Sequence, residues 1–150
     1  MSRIDLRYFS QTEFRDSWDV MSVRQLILLD SARHQWGKKV TISPVNGALA
    51  RYNGPDDGSQ HNVDMWGECR ACDVFFEGMI NTRAANQVIR ILARTGFTGA
   101  GLYPDWNPQP GIHADCRQSV EPGEPAFWGM IDDGDGQYEV SLEKALERMP

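Results

Sequence analysis

Two histidines and a carboxylate, spread over three short segments, are the side chains of this sequence best suited to chemistry. Ser59-Gln60-His61 opens the set, Arg70-Ala71-Cys72-Asp73-Val74 continues it, and Gly111-Ile112-His113-Ala114-Asp115 closes it. Imidazole nitrogens and a carboxylate oxygen are zinc donors, and three such ligands leave one tetrahedral position open for water. An open position separates a catalytic zinc site from a structural one. The expected chemistry is metal-assisted hydrolysis, in which zinc lowers the pKa of bound water and polarises a carbonyl. The chain has only three histidines, so two of them near aspartates is a real concentration of ligands. The third, His34, falls on a helix beside Trp36 and reads as surface or packing.

Other constellations compete less well. Cys69-x-x-Cys72 with His113-x-x-Cys116 has the ligand count of a structural Cys3His zinc site. Strand alternation, however, sends Cys69 and Cys72 to opposite faces, and likewise His113 and Cys116. A redox CxxC would open a helix, which Asp73-Val74-Phe75-Phe76 does not resemble. Asp132-Asp133-Gly134-Asp135-Gly136 lacks the ligand register and closing Glu of a calcium loop, so it reads as a hairpin turn.

The elements that must position the ligands follow from periodicity and caps. Ser10-Gln11-Thr12-Glu13 is a capping box opening a short helical turn. Ser22 caps a helix over about 23–36, with rows marked by Val23, Leu26, Ile27, Asp30, Arg33 and Trp36, and Gly37 ends it. Strands are expected at 40–42, 70–76, 102–103, 112–116, 127–131 and 137–140. Pro44, Gly47, Gly54, Pro55 and Gly58 make residues 44–60 a long loop, which in a compact domain points to function. Asn81 or Thr82 caps a helix to about Thr95, with Ala85, Val88, Ile89 and Leu92 on one face, and Ser141 caps a last helix to about Met149. The fold class expected is α+β, a small antiparallel sheet with flanking helices.

Alternation then tests the ligand set. Ala71, Asp73 and Phe75 share one face of their strand, and His113 and Asp115 share one face of theirs. If the two strands lie close in one sheet, Asp73, His113 and Asp115 converge, and His61 completes the site from the end of the long loop. Cys72 and Cys116 then face the core together on the opposite side, as free, inert thiols.

Composition bounds the rest. The 150 residues suit a single domain, 1–150, with one substantial core. A net charge of −6 argues against nucleic-acid or anionic-membrane partners, because phosphate affinity comes from Lys and Arg. No apolar run approaches the roughly 18 residues of a membrane span. Met1-Ser2-Arg3-Ile4-Asp5-Leu6-Arg7 has no apolar core, so no signal peptide is read there. Three cysteines do not suggest a disulfide framework, and synthesis in a reducing cytoplasm is expected.

At these residues the sequence resembles the zinc D-Ala-D-Ala carboxypeptidase and L-alanyl-D-glutamate endopeptidase family, which shares its fold with the hedgehog signalling domain. Ser59-Gln60-His61 resembles the family's Ser-x-His opening, and Gly67 with Arg70–Val74 its Gly-x-Ala-x-Asp continuation. Gly111–Arg117 resembles the His-x-Asp-x-Arg strand of the phage-type branch. Leu6–Ser10, Arg33–Gly37 and Val40–Ser43 are also similar to that branch, so the resemblance runs from about 6 to 145. It implies His61, Asp73 and His113 as ligands of Zn2+, a peptidoglycan peptide as substrate, and a monomeric hydrolase. It further implies action on the cell wall after lysis-assisted release or as a virion component. Two departures stand out. Eleven residues, Asn62 to Cys72, separate the first His from the Asp, more than is usual, and the extra ones are placed at 62–66. The positions just before the last ligand, where the family often carries its base, are Pro110 and Gly111, so Asp115 becomes the candidate proton-transfer group. Asp115 has a second reading, as the partner that orients His113. Arg51 is the nearest equivalent of the family's substrate-carboxylate arginine. A non-catalytic zinc-containing binding or virion module of the same fold is the alternative function.

Overall fold

The structure, a computed structural model, describes residues 4–120 and 124–150. A 3₁₀ segment, Gln11–Val20, leads into helix α1 (Val23–Trp36) and strand β1 (Val40–Ile42). The long loop follows, then a short helix α2 (Val63–Trp66), β2 (Ala71–Phe76), α3 (Thr82–Thr95), β3 (Gly99–Tyr103), β4 (Gly111–Asp115), β5 (Ala126–Asp132), β6 (Gln137–Val140) and α4 (Leu142–Glu147). The caps read from the sequence are present. Ser10 and Glu13 form the capping box, while Ser22, Asn81 and Ser141 accept from the first turns of α1, α3 and α4. Gly37 and Gly96 close α1 and α3 in the left-handed conformation.

Six strands form one sheet in the order β1-β2-β4-β3-β5-β6. The sheet is mixed, which corrects the antiparallel expectation. β3 and β5 run parallel, while every other pair is antiparallel. The reason is connectivity: β4 inserts between β2 and β3, so the chain re-enters beside β3 from the far end of β4.

One face of the sheet carries the core. Cys72, Val74, Phe76, Ala100, Leu102, Ile112 and Ala114 pack there with Leu26, Leu29 and Ala32 of α1 and Val88 and Leu92 of α3. Two helix faces differ from expectation. In α1, Gln25, Leu26, Leu28, Leu29 and Ala32 are buried, whereas Val23 and Ile27 face outward. The unbroken run Leu26–Leu29 hides the period that would have located the stripe. In α3, Ile91 takes the buried place expected for Ile89. Every residue of β2 and β4 is buried, so the second face is covered too. Segments of the long loop and of the β3–β4 connection cover it, with Ala48 accepting from the Asp73 amide and Trp106 lying against Phe75.

The residues just before Gly67 form α2. Asn62 caps this single turn, and Gly67 ends it at φ 74°. Asn62 also ties the loop together from a fully buried position. Its Oδ1 accepts from the Asn53 and Asp64 amides, and its Nδ2 donates to the carbonyls of Gly54 and Asp57. Residues 133–136 form the β5–β6 hairpin turn, inside the stretch read as one, and Asp132 ends β5 paired with Gln137.

Candidate metal centre

Register delivers two ligands to one point. β2 and β4 pair so that Asp73 lies opposite His113, both on the face away from the core. His61 arrives from the returning limb of the long loop, which is bridged to the outgoing limb at Arg51 and Asn62. There the Arg51 amide donates to the His61 carbonyl at 2.9 Å.

The three side chains converge. His61 Nε2 and His113 Nδ1 each lie 3.1 Å from Asp73 Oδ1 and 3.2 Å from one another. All three residues are buried. Among the described residues, this is the only group of three or more His, Cys, Asp or Glu side chains with ligand atoms within 4.8 Å of each other. The competing Cys69–Cys72–His113–Cys116 site is not assembled, and all three cysteines are buried free thiols. Burial pushes each thiol up, Cys69 to about 12.

The outer nitrogens of the imidazoles decide what the inner ones offer. His61 Nδ1 lies 2.7 Å from the Leu49 carbonyl, an obligate acceptor, so Nδ1 carries the hydrogen and Nε2 turns a lone pair inward. His113 Nε2 lies 2.8 Å from Asp115 Oδ2, so its Nδ1 likewise faces inward as a lone pair. Two lone pairs and a carboxylate oxygen then meet with no hydrogen among them. Electrostatics requires a cation at such a point, either a proton or a metal ion. The donor set N, O, N suits a divalent metal ion, and these residues can hold one. Without a metal a proton takes that place. Burial disfavours a charged His113, but its hydrogen bonds to Asp115 and Asp73 outweigh burial and raise it to about 9. His61 goes the other way, lowered by burial. Asp73 works against burial as well, held well below the usual carboxylate range by His113 and His61.

Asp115 bonds the outer ring nitrogen of His113, not the one that meets Asp73. It is fully buried behind His113, and both oxygens are engaged. Oδ1 accepts from the Arg117 amide at 3.1 Å and Nε at 2.9 Å; Oδ2 accepts from Arg117 Nη2 at 2.6 Å and His113 Nε2 at 2.8 Å. This is the geometry of the second role weighed for it, a carboxylate that fixes the tautomer and direction of a ligating imidazole. Asp115 lies on the strand face expected for it, with its oxygens taken by Arg117 and by the outer nitrogen of His113. Arg51 does reach the site, with Nη2 3.5 Å from Asp73 Oδ2 and Nε 2.7 Å from the Gly47 carbonyl. Its side chain is 36% exposed, so its remaining donors face solvent beside the ligands.

Two contributors escaped the motif reading, the Leu49 carbonyl and Trp128, while Arg117 stood in the quoted His-x-Asp-x-Arg strand without a role. The signal for Trp128 and for Arg117 was Gly99-x-Gly101 within a strand, since glycine there marks close approach of another group. A Cβ on Gly101 would fall 2.6 Å from the Trp128 indole nitrogen, and one on Gly99 would strike the Asp115 carboxylate. The chain matches no family model, no curated protein and no solved structure.

Proposed function

We propose that this chain is a zinc metallopeptidase that hydrolyses peptide bonds of bacterial peptidoglycan. The observation that carries the reading is the meeting of His61 Nε2, Asp73 Oδ1 and His113 Nδ1, each within 3.2 Å of the other two, with both outer ring nitrogens committed. Three protein ligands of these types match a catalytic rather than a structural zinc site. Zinc bound there supplies an activated water and polarises a carbonyl. The protein's part is positional. Leu49 and Asp115 hold the two imidazoles, and Arg117 neutralises Asp115 and holds it in turn. Arg51, half-exposed at the edge of the site, is suited to pair with a substrate carboxylate, a group in which peptidoglycan stems are rich. The hedgehog/DD-peptidase fold and a phage origin belong to the same proposal, as does action on the wall after lysis-assisted release or from a virion. Among the described residues no helix is long and apolar enough to cross a membrane.

The full engagement of Asp115 favours one second reading, a zinc-containing binding or virion module without a proton-transfer group. Metal analysis combined with digestion of purified peptidoglycan separates the two. One equivalent of zinc with new peptide termini by mass spectrometry, lost on chelation and restored by zinc, supports the peptidase. Bound zinc with intact peptidoglycan supports the binding module, and a protein that takes up no zinc rejects both.

A further inference from the structure

Beside the ligands the same sheet face carries an aromatic wall. Phe75 follows Asp73 by two residues on β2, Trp106 comes from the β3–β4 connection, Tyr103 ends β3 and Trp128 lies on β5. Trp106 stacks on Tyr103 with ring centroids 4.1 Å apart and meets Phe75 edge-on at 6.1 Å. Trp128 lies 5.4 Å from the His113 ring and carries the Arg117 guanidinium 4.8 Å above its own.

Tyr103 is the one member of this wall with a hydroxyl. Gly101 pairs with His113 and Tyr103 with Gly111, so Tyr103 stands on the ligand face one strand over and two residues along. The Trp128 indole N–H faces the phenolic oxygen. An indole N–H can only donate, so the phenolic hydrogen is left to be donated elsewhere. The Trp128 indole nitrogen lies over Gly101, 2.6 Å from where a Cβ would stand, and Gly101 is the partner of His113, so the phenolic oxygen it meets stands beside the ligand face. Burial pushes the phenol up to about 12, which keeps the hydrogen in place at neutral pH. The stack on Trp106 fixes the ring, giving a donor that needs no reorganisation.

We infer that Tyr103 is a catalytic residue: its hydroxyl donates a hydrogen bond to the scissile carbonyl oxygen of a bound peptide as that oxygen gains negative charge. The inference rests on the peptidase reading. The phenol keeps its proton throughout, so no proton is added to the reaction's balance. With Arg51 receiving a carboxylate on the other side of Asp73, the peptide lies across the ligands between two fixed donors. A preorganised donor aimed at developing charge acts in the transition state more than in the ground state, and removing one costs about 10²–10³ in kcat.

Tyr103→Phe tests this, because it keeps the ring and its stack and removes only the hydroxyl. The zinc-loaded variant should hold the same zinc as wild type and keep KM for a stem peptide. Its kcat should fall by about 10²-fold or more. A readout without turnover is binding of a phosphinate analogue of the stem peptide, whose tetrahedral anionic oxygen mimics the charged state. Tyr103→Phe should bind it about 10²-fold more weakly, while binding the cleaved stem peptide as wild type does. Wild-type kcat with wild-type phosphinate affinity overturns the inference. So does a variant that loses zinc but, once loaded, holds the phosphinate normally, because Tyr103 is then only a support. A wild-type protein that neither cuts peptidoglycan nor binds the phosphinate refutes the peptidase reading itself, and this inference with it.

Discussion

Replacing Asp115 by Asn tests the architecture of the metal centre most sharply. The wild-type carboxylate accepts four hydrogen bonds, three from Arg117 and one from His113. An amide of the same shape has one acceptor oxygen and an NH₂ group that only donates. If the oxygen turns to the Arg117 amide and Nε, the NH₂ confronts His113 Nε2–H. The imidazole then moves its hydrogen to Nδ1, and the lone pair that faced Asp73 and His61 is lost. Supporting partners of this kind typically contribute about 10–100-fold to metal affinity, or about 1.4–2.8 kcal/mol. The change also leaves Arg117 without its counter-charge. Breaking a buried pair costs about 3–5 kcal/mol, and the lower end applies because the Arg117 side chain is 23% exposed. A loss of about 3 kcal/mol corresponds to a fall in Tm of roughly 6–12 °C at this chain length. Zinc affinity is read by competition with a chromophoric chelator, and stability by melting the metal-free protein. Wild-type zinc affinity and Tm, joined to a fall of about 10²–10⁴ in hydrolysis, would refute this reasoning and make Asp115 the proton-transfer group.

Other expectations follow from the same geometry. His61→Ala and His113→Ala should each bring zinc content well below one equivalent, while Cys69→Ser keeps it; the reverse pattern by metal analysis sinks the ligand assignment. His113 at about 9 in the metal-free protein lies above its free value of 6.5. Its protonation therefore stabilises the metal-free fold fully below about 6.5, and this contribution is lost as pH rises through about 9. Metal-free Tm should fall across that window and zinc-loaded Tm should not; a metal-free Tm that rises there contradicts the proton's place in the site. Zinc must displace that proton, so apparent affinity should rise about tenfold per pH unit below about 9, and calorimetry in buffers of different ionisation enthalpy should count one proton released. Native protein should react slowly with a thiol reagent at Cys72 and Cys116, both buried with raised pKa values; rapid labelling of both would show that the face beneath the ligands is open.

Local rules read much of this molecule correctly from the sequence. Ser22 and Gly37 bound α1, and Asn81 and Gly96 bound α3, because capping is decided within one turn of the chain. Alternation put Asp73 and His113 on one face and Cys72 on the other, because a strand has a period of two whatever lies beside it. The ligand set was legible for the same reason: each ligand is a residue type in a short local pattern. Tertiary structure alone decided which strands are neighbours, that β3 and β5 run parallel, and that residues 63–66 coil into α2. It also decided the partners of Asp115. Alternation gives the face of a side chain, but not whether the carboxylate turns toward a metal or toward Arg117. The same holds for the Leu49 carbonyl under His61 and the Trp128 ring beside His113. These groups meet only when hydrogen-bonded register brings distant segments together, and register is a property of strand pairs that no single segment carries.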